Sequence, residues 1–301
     1  MKSIIKKLVP AKARRLARDA LQMAVYALPN PFERIHLSRR AEVWHDELSR
    51  NGIVKIENEP VFGQVGEYLE QTYFSAIEQA PQKFLGRTDP SYPFGDNQRF
   101  VWDSNTGEYS SGGTEILSYI SFADRQCQPL YLHPDLIQVL QKYYGRQPYY
   151  RNQPLIQKIS LHSGQVPLTN GAFHVDHLRQ ISLMLLVTDI SANETHMEYC
   201  VGSNRRNLLA EGVELPVEQC EAKARGYPIF KCTGKKGTLF IFDTSGFHRA
   251  NYISNSTRKM LHLNITTGHN LVPFIDKNEV AVAPDEAPQY VKRMFRYLNP
   301  S

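Results

Sequence analysis

Apolar and polar positions change period partway along this chain. Over residues 11–28, Leu16, Ala17, Ala20, Leu21, Ala24, Val25 and Leu28 recur every three or four positions, with Arg14, Arg15, Arg18 and Gln22 opposite them. That spacing predicts an amphipathic helix. Helical patterning returns over 37–51, where Gly52 closes it, then over 65–79, and over 133–144, closed by Gly145; glycine is favoured just past a helix end. Ile53, Val54, Lys55 and Ile56 read as a short strand between the first two of these. From about residue 149 the texture becomes β-rich, with strands predicted over 155–161, 181–189, 196–201, 238–242, 248–252 and 260–267. Leading helices followed by a run of short strands predict a mainly β fold, an all-β barrel or jelly-roll core with a helical buttress. Two stretches carry no clear period: 81–113, rich in Pro, Gly, Asp, Asn and Ser, and 208–236. Both read as lids or binding loops over the barrel mouth.

Charge divides the chain differently. Residues 1–40 hold ten Lys/Arg against two acids, a net charge of +8, whereas the remainder holds 25 basic and 28 acidic groups, a net charge of −3. The basic excess therefore belongs to a terminal segment, 1–36, ahead of a single domain over 37–301 with its β core at about 149–268. A nearly neutral body argues against nucleic acid as a partner. The basic helix has two readings of equal weight: peripheral contact with an anionic membrane through residues 1–28, or a helix packed on the body with its arginines solvated. No apolar run reaches membrane-spanning length; 20–28 is the longest and is broken by Gln22 and stopped by Pro29. Four cysteines without CxxC spacing suit a reducing compartment, so the expected location is cytoplasmic, peripheral on the membrane face if the helix binds there.

The chemistry is concentrated in His174-Val175-Asp176, followed by His248 and Arg258. Along an extended segment residues i and i+2 point the same way, so His174 and Asp176 leave one side together. With His248 from another strand they make a 2-His-1-carboxylate set, which holds Fe(II) on one face and leaves positions for 2-oxoglutarate and dioxygen. The hydrophobic strand ahead of His248 (237–243) delivers it from a buried element. A turn at Asn255-Ser256-Thr257 then starts an antiparallel neighbour carrying Arg258. Its planar fork suits the far carboxylate of 2-oxoglutarate. With ten histidines in the chain, His-x-Asp alone is a weak signal; the specificity lies in four elements in order within a β-rich region. His162, His177, His196, His262 and His269 read as structural or supporting, with His262 and Asn264 flanking the Arg258 strand.

Residues 157–205 and 237–258 resemble the central and distal blocks of the phytanoyl-CoA dioxygenase family of Fe(II)/2-oxoglutarate oxygenases. The likeness covers about 155–268. It implies a double-stranded β-helix (jelly-roll, cupin-like) core, Fe(II) on His174, Asp176 and His248, and 2-oxoglutarate paired with Arg258. Gln157 stands where that family often has a co-substrate-pocket residue. Val175 replaces the common Gln within His-x-Asp, Thr195-His196-Met197 stands for a usual Gly-Pro/Cys-Leu, and Asn204 for a usual His. Related halogenases replace the carboxylate, and Asp176 retains it. The expected activity is hydroxylation of an unactivated C–H in a small-molecule, lipid or lipid-linked saccharide substrate. The same cofactors can also drive desaturation, cyclisation or epimerisation. A non-catalytic jelly-roll that binds its ligand at a membrane is the alternative from another class.

Overall fold

A computed structural model describes residues 35–80, 102–103, 108–109, 114–145, 147–151, 154–161, 171–176, 180–206, 215–253, 255–267 and 294. Residues 1–34, with the basic helix, lie outside the described residues, as do His162, His177 and His269.

The first described helix, α1 (Arg39–Asn51), begins where Ser38 accepts a hydrogen bond from the Ala41 N–H and ends at Gly52. Gly52 has φ +77°, and its N–H closes on Leu48 O. A side chain there would also meet Asn204 and the Tyr199 hydroxyl, so both conformation and space call for glycine. Ala41, Trp44 and Leu48 form its buried stripe. Strand β1 (Ile53–Ile56) follows. The helix predicted over 65–79 starts five residues earlier. It is α2 (Pro60–Leu69), a π turn over Glu70–Phe74 and α3 (Ser75–Gln79). Proline at the first helical position needs no N–H partner, which explains the earlier start.

Within 81–113 only a two-stranded ribbon is described, β2 (Trp102–Asp103) paired with β3 (Glu108–Tyr109). Then come β4 (Thr114–Tyr119), the short α4 (Gln128–Tyr131), α5 (Pro134–Tyr144), β5 (Pro148–Tyr150) and β6 (Leu155–Leu161). Further along lie β7 (Ile181–Leu186), β8 (His196–Cys200), α6 (Val217–Ala224) and β9 (Ile229–Cys232). The last strands are β10 (Leu239–Asp243), β11 (His248–Asn251) and β12 (Ser256–Thr267).

The major sheet runs β1-β10-β7-β12-β6-β4, with β5 also on β12; the minor sheet runs β11-β8-β9. His174 extends the minor sheet through a bridge to His248. Between β6 and β12 the chain therefore visits major, minor, major, minor, minor, major, minor and major sheet in turn, and every pairing is antiparallel. That order is a double-stranded β-helix, a jelly-roll core.

Alternation along the strands decides what each face meets. Leu183, Leu185, Leu239, Ile241, Leu261, Leu263 and Ile265 face the helices, in one core with Leu48, Phe62 and Leu140. Met184, Leu186, Phe240, Phe242 and Met260 face the minor sheet and pack with Met197, Tyr199 and Cys232. The α5 helix is tied to the sheet through Tyr144, which donates to Ile265 O and accepts from Ile181 N.

Two expectations are corrected. The stretch 208–236, read as a lid or binding loop with no clear period, supplies α6 and β9, and β9 is a pairing strand of the minor sheet. Its helix covers the outer face of that sheet, with Cys220 and Ala224 packed on Phe173, Cys200 and Phe247. Likewise, His248 and Arg258 do not sit on two arms of one hairpin. β11 pairs with β8 and β12 with β6 and β7, so the turn at Asn255 carries the chain from one sheet to the other. Asn255 makes that turn in the left-handed region, φ +58°.

Candidate metal centre

Three side chains converge in the space between the sheets. His174, Asp176 and His248 each offer one ligand atom, and these atoms all lie within 4.8 Å of one another. The backbone explains the convergence. His174 and His248 exchange both hydrogen bonds, N to O and O to N, each 3.0 Å. Residues paired this way stand directly opposite and point to the same face; their ring centroids are 4.4 Å apart. Asp176 N then donates to Thr244 O at 2.9 Å, which keeps the segment extended and returns Asp176 to the side of His174.

The turn between β10 and β11 is braced from several directions. Asp243 accepts from Ser245 N and Oγ, Tyr199 donates to Asp243 O at 2.8 Å, and Phe247 N donates to Ser203 Oγ. Tyr199 lies nearly parallel to the His248 ring, 18° apart at 6.5 Å, and Phe242 packs 5.6 Å from it.

Both imidazoles are oriented alike. His174 Nδ1 lies 2.9 Å from Ala172 O, and His248 Nδ1 2.9 Å from Gly246 O. A carbonyl only accepts, so each Nδ1 carries the proton and each neutral ring keeps its Nε2 lone pair for a ligand. His248 Nε2 is 3.5 Å from Asp176 Oδ2. The Asp176 side chain is 35% exposed and that of His248 8%, so the carboxylate marks the open side.

Charge differs between the two histidines. Burial, then the neighbouring His248, pulls the His174 pKa down. Burial also opposes the charged form of His248, but hydrogen bonding to Asp176 and its charge prevail and the pKa rises.

Arg258 is buried at 4% exposure, and its Nη2 donates to Gln157 Oε1 at 3.3 Å. The residues named from the sequence are brought together in two groups, the three ligand candidates and the Arg258–Gln157 pair. Arg258, Met260, His262 and Asn264 alternate on the inner face of β12, opposite Leu261, Leu263 and Ile265. His262 lies within electrostatic reach of both groups. It stacks on Phe242, 10° from parallel at 6.5 Å, and lies 3.0 Å from Ser182 Oγ. Burial lowers its pKa to about 4, with Asp176 opposing and Arg258 and His248 adding to the effect. His196 lies elsewhere, buried among polar partners beside Glu198, 3.6 Å away.

Sequence reasoning missed Phe242, Tyr199 and the two carbonyl acceptors. The acceptor of each ligand histidine lies two residues before it, so a small residue at i−2, Ala172 or Gly246, was a signal present in the sequence.

No family model matches the chain, and no curated protein matches it. Among solved structures it is similar to the non-heme alpha ketoglutarate dependent epimerase SnoN from nogalamycin biosynthesis, with 14% identity and a TM-score of 0.48 over 75% of this chain and 83% of that one. The carbocyclase SnoK of the same biosynthesis gives 15% and 0.47 over 79% and 87%. EctD from S. alaskensis with bound Fe gives 16% and 0.48 over 86% and 84%. With every identity below 20% and every TM-score below 0.5, the fold assignment rests on this chain's own strand order.

Proposed function

We propose that this chain is an Fe(II)- and 2-oxoglutarate-dependent oxygenase that hydroxylates an unactivated C–H. The observation that carries the reading is the convergence of two Nε2 lone pairs and one carboxylate within 4.8 Å, between the sheets of a jelly roll. The donor set fits the metal: two imidazoles and a carboxylate on one side suit Fe(II) with positions left open. When bound, iron with dioxygen supplies the oxidising power, and 2-oxoglutarate is consumed to succinate and carbon dioxide.

The chain's own residues bind and orient. His174, Asp176 and His248 would hold the metal, each imidazole locked by its Nδ1–carbonyl bond. Arg258, presented by Gln157, would pair with the far carboxylate of 2-oxoglutarate, where a bidentate fork gives both charge and direction. Phe242, Met184 and Met260 keep the space between the sheets apolar and exclude water. No side chain is required as a general acid or base. The family proposed is the phytanoyl-CoA dioxygenase-like one, on the residue blocks described above.

Purified protein supplied with Fe(II) and 2-oxoglutarate should release succinate, and His174→Ala should abolish release. Full turnover by His174→Ala would overturn the proposal. Iron retained through anaerobic purification separates this reading from a non-catalytic jelly-roll binder, which has no need of a redox metal.

The substrate is proposed to be a lipid or a lipid-linked saccharide met at the cytoplasmic membrane face, with a soluble small molecule as the alternative. The support is the +8 charge of residues 1–40 and their amphipathic pattern.

A further inference from the structure

The strand that carries His174 and Asp176 lies at the edge of the minor sheet. On one side it bonds to β11 through His174, using both backbone groups. The N–H groups of Phe173 and Val175 point to the other side, where the sheet has no further strand among the described residues. Edge groups of this kind leave a short strand weakly fixed, yet it supplies two of the three proposed ligands.

Helix α6 meets this edge. Glu221 Oε1 accepts the Phe173 N–H at 2.7 Å. One residue away, Cys220 packs in one buried cluster with Phe173, Ala224, Cys200 and Phe247, with Val175 against it. The ring of Phe173 is held in addition by Arg249, whose guanidinium lies 4.3 Å above it. Arg249 is itself fixed by two bonds to the buried Glu198, 2.9 and 2.8 Å, and Glu198 also accepts from Asn251. All of these groups lie on the face of the sheet opposite the ligands. None of them reaches the space where a metal would sit.

We infer that Glu221 is a positioning residue for the metal centre: its carboxylate accepts the edge N–H of Phe173, as a neighbouring strand's carbonyl would, and sets where His174 and Asp176 stand relative to His248. A charge-assisted bond to a backbone N–H is stronger than a neutral one, and partners of this indirect kind commonly govern metal affinity. The inference rests on the metal reading above. Glu221 acts through the backbone, so an amide oxygen serves nearly as well as a carboxylate, whereas removing the acceptor frees the edge.

The test uses the full chain and Co(II), whose visible spectrum reports ligand geometry without turnover. Glu221→Ala should bind Co(II) about 10- to 100-fold more weakly and change the shape of its visible bands. Glu221→Gln should stay within roughly threefold of wild type, because its amide oxygen still accepts. Glu218→Ala, on the same helix and outside this contact, should match wild type. Glu221→Ala binding Co(II) as wild type does, while His174→Ala does not bind it, overturns this inference alone. Equal losses in Glu218→Ala and Glu221→Ala also overturn it, since the helix would then matter only as scaffold. A folded wild type that takes up no Co(II) overturns the metal reading and this inference with it. Should Glu221→Ala fail to fold, amide hydrogen exchange in wild type decides. Protection at Phe173 like that of the paired His174 amide supports the bond, and free exchange overturns it.

Discussion

Each proposed ligand histidine spends one nitrogen on its own backbone. The His174–Ala172 and His248–Gly246 contacts are both 2.9 Å, and they convert a flexible ring into one that presents a single lone pair. In the proposed role Arg258 holds the co-substrate by charge and shape, so its loss should fall on co-substrate binding. Arg258→Ala is expected to raise the KM for 2-oxoglutarate at least tenfold with a smaller change in kcat; steady-state kinetics would show it, and an unchanged KM would remove Arg258 from the role. His262 makes a different prediction. Its folded pKa is about 4 against about 6.5 for an unfolded histidine. Between these values the unfolded chain binds a proton that the folded chain refuses. The stability this group confers is therefore intact above pH 6.5 and lost as pH falls toward 4. The loss is on the order of 2–3 kcal/mol. His262→Gln should flatten that part of the urea-midpoint profile, and an identical slope in both proteins would count against it.

Among the elements, the turn from β10 to β11 carries the most constraint, because its last residues aim His248. A Cβ on Gly246 would fall 2.1 Å from Tyr199 Oη and 2.8 Å from Ser203 Oγ. Gly246→Ala must displace Tyr199 or shift the carbonyl that holds His248 Nδ1. We expect destabilisation of roughly 2 kcal/mol together with weaker metal binding, measured by thermal melts and Co(II) titration. Normal metal affinity would show that the turn absorbs the clash. Element boundaries were legible where local chemistry marks them. Gly52 closes α1 and Gly145 closes α5, while β1 and β6 fall where their patterns predict; α1 itself starts at Arg39, capped by Ser38, two residues after the predicted start. The π turn at Glu70–Phe74 and the split of 208–236 into helix and strand were not legible. The first departs from any 3.6-residue period, and β9 alternates in burial but places apolar Ile229 on its exposed side beside Lys231, leaving no alternation of polarity to read.

At the scale of the molecule, the charge asymmetry separates a basic terminus from a nearly neutral body. Removing residues 1–30 should release the protein from vesicles containing anionic lipid while co-substrate turnover persists. Co-sedimentation of both forms checks this, and equal binding would assign the contact to the body. The sandwich itself explains an inversion along β12: its leucines face helices, while Arg258, His262 and Asn264 face the interior between the sheets. Burying that many polar groups inside a sandwich is costly unless each has a partner; Gln157 provides one for Arg258, and Ser182 for both His262 and Asn264. The alternation of polar and apolar residues along β12 is a property of the sequence alone. So are the β-rich texture, the His-x-Asp spacing and the placement of Arg258 ten residues after His248. Local side-chain period and turn chemistry suffice for those, because they involve neighbours along the chain. Which face of β12 is the interior, that β11 and β12 belong to different sheets, and that α6 meets the His-x-Asp edge were decided only by the tertiary structure. Those features depend on pairings between residues 48 to 101 positions apart, for which the linear pattern holds no register.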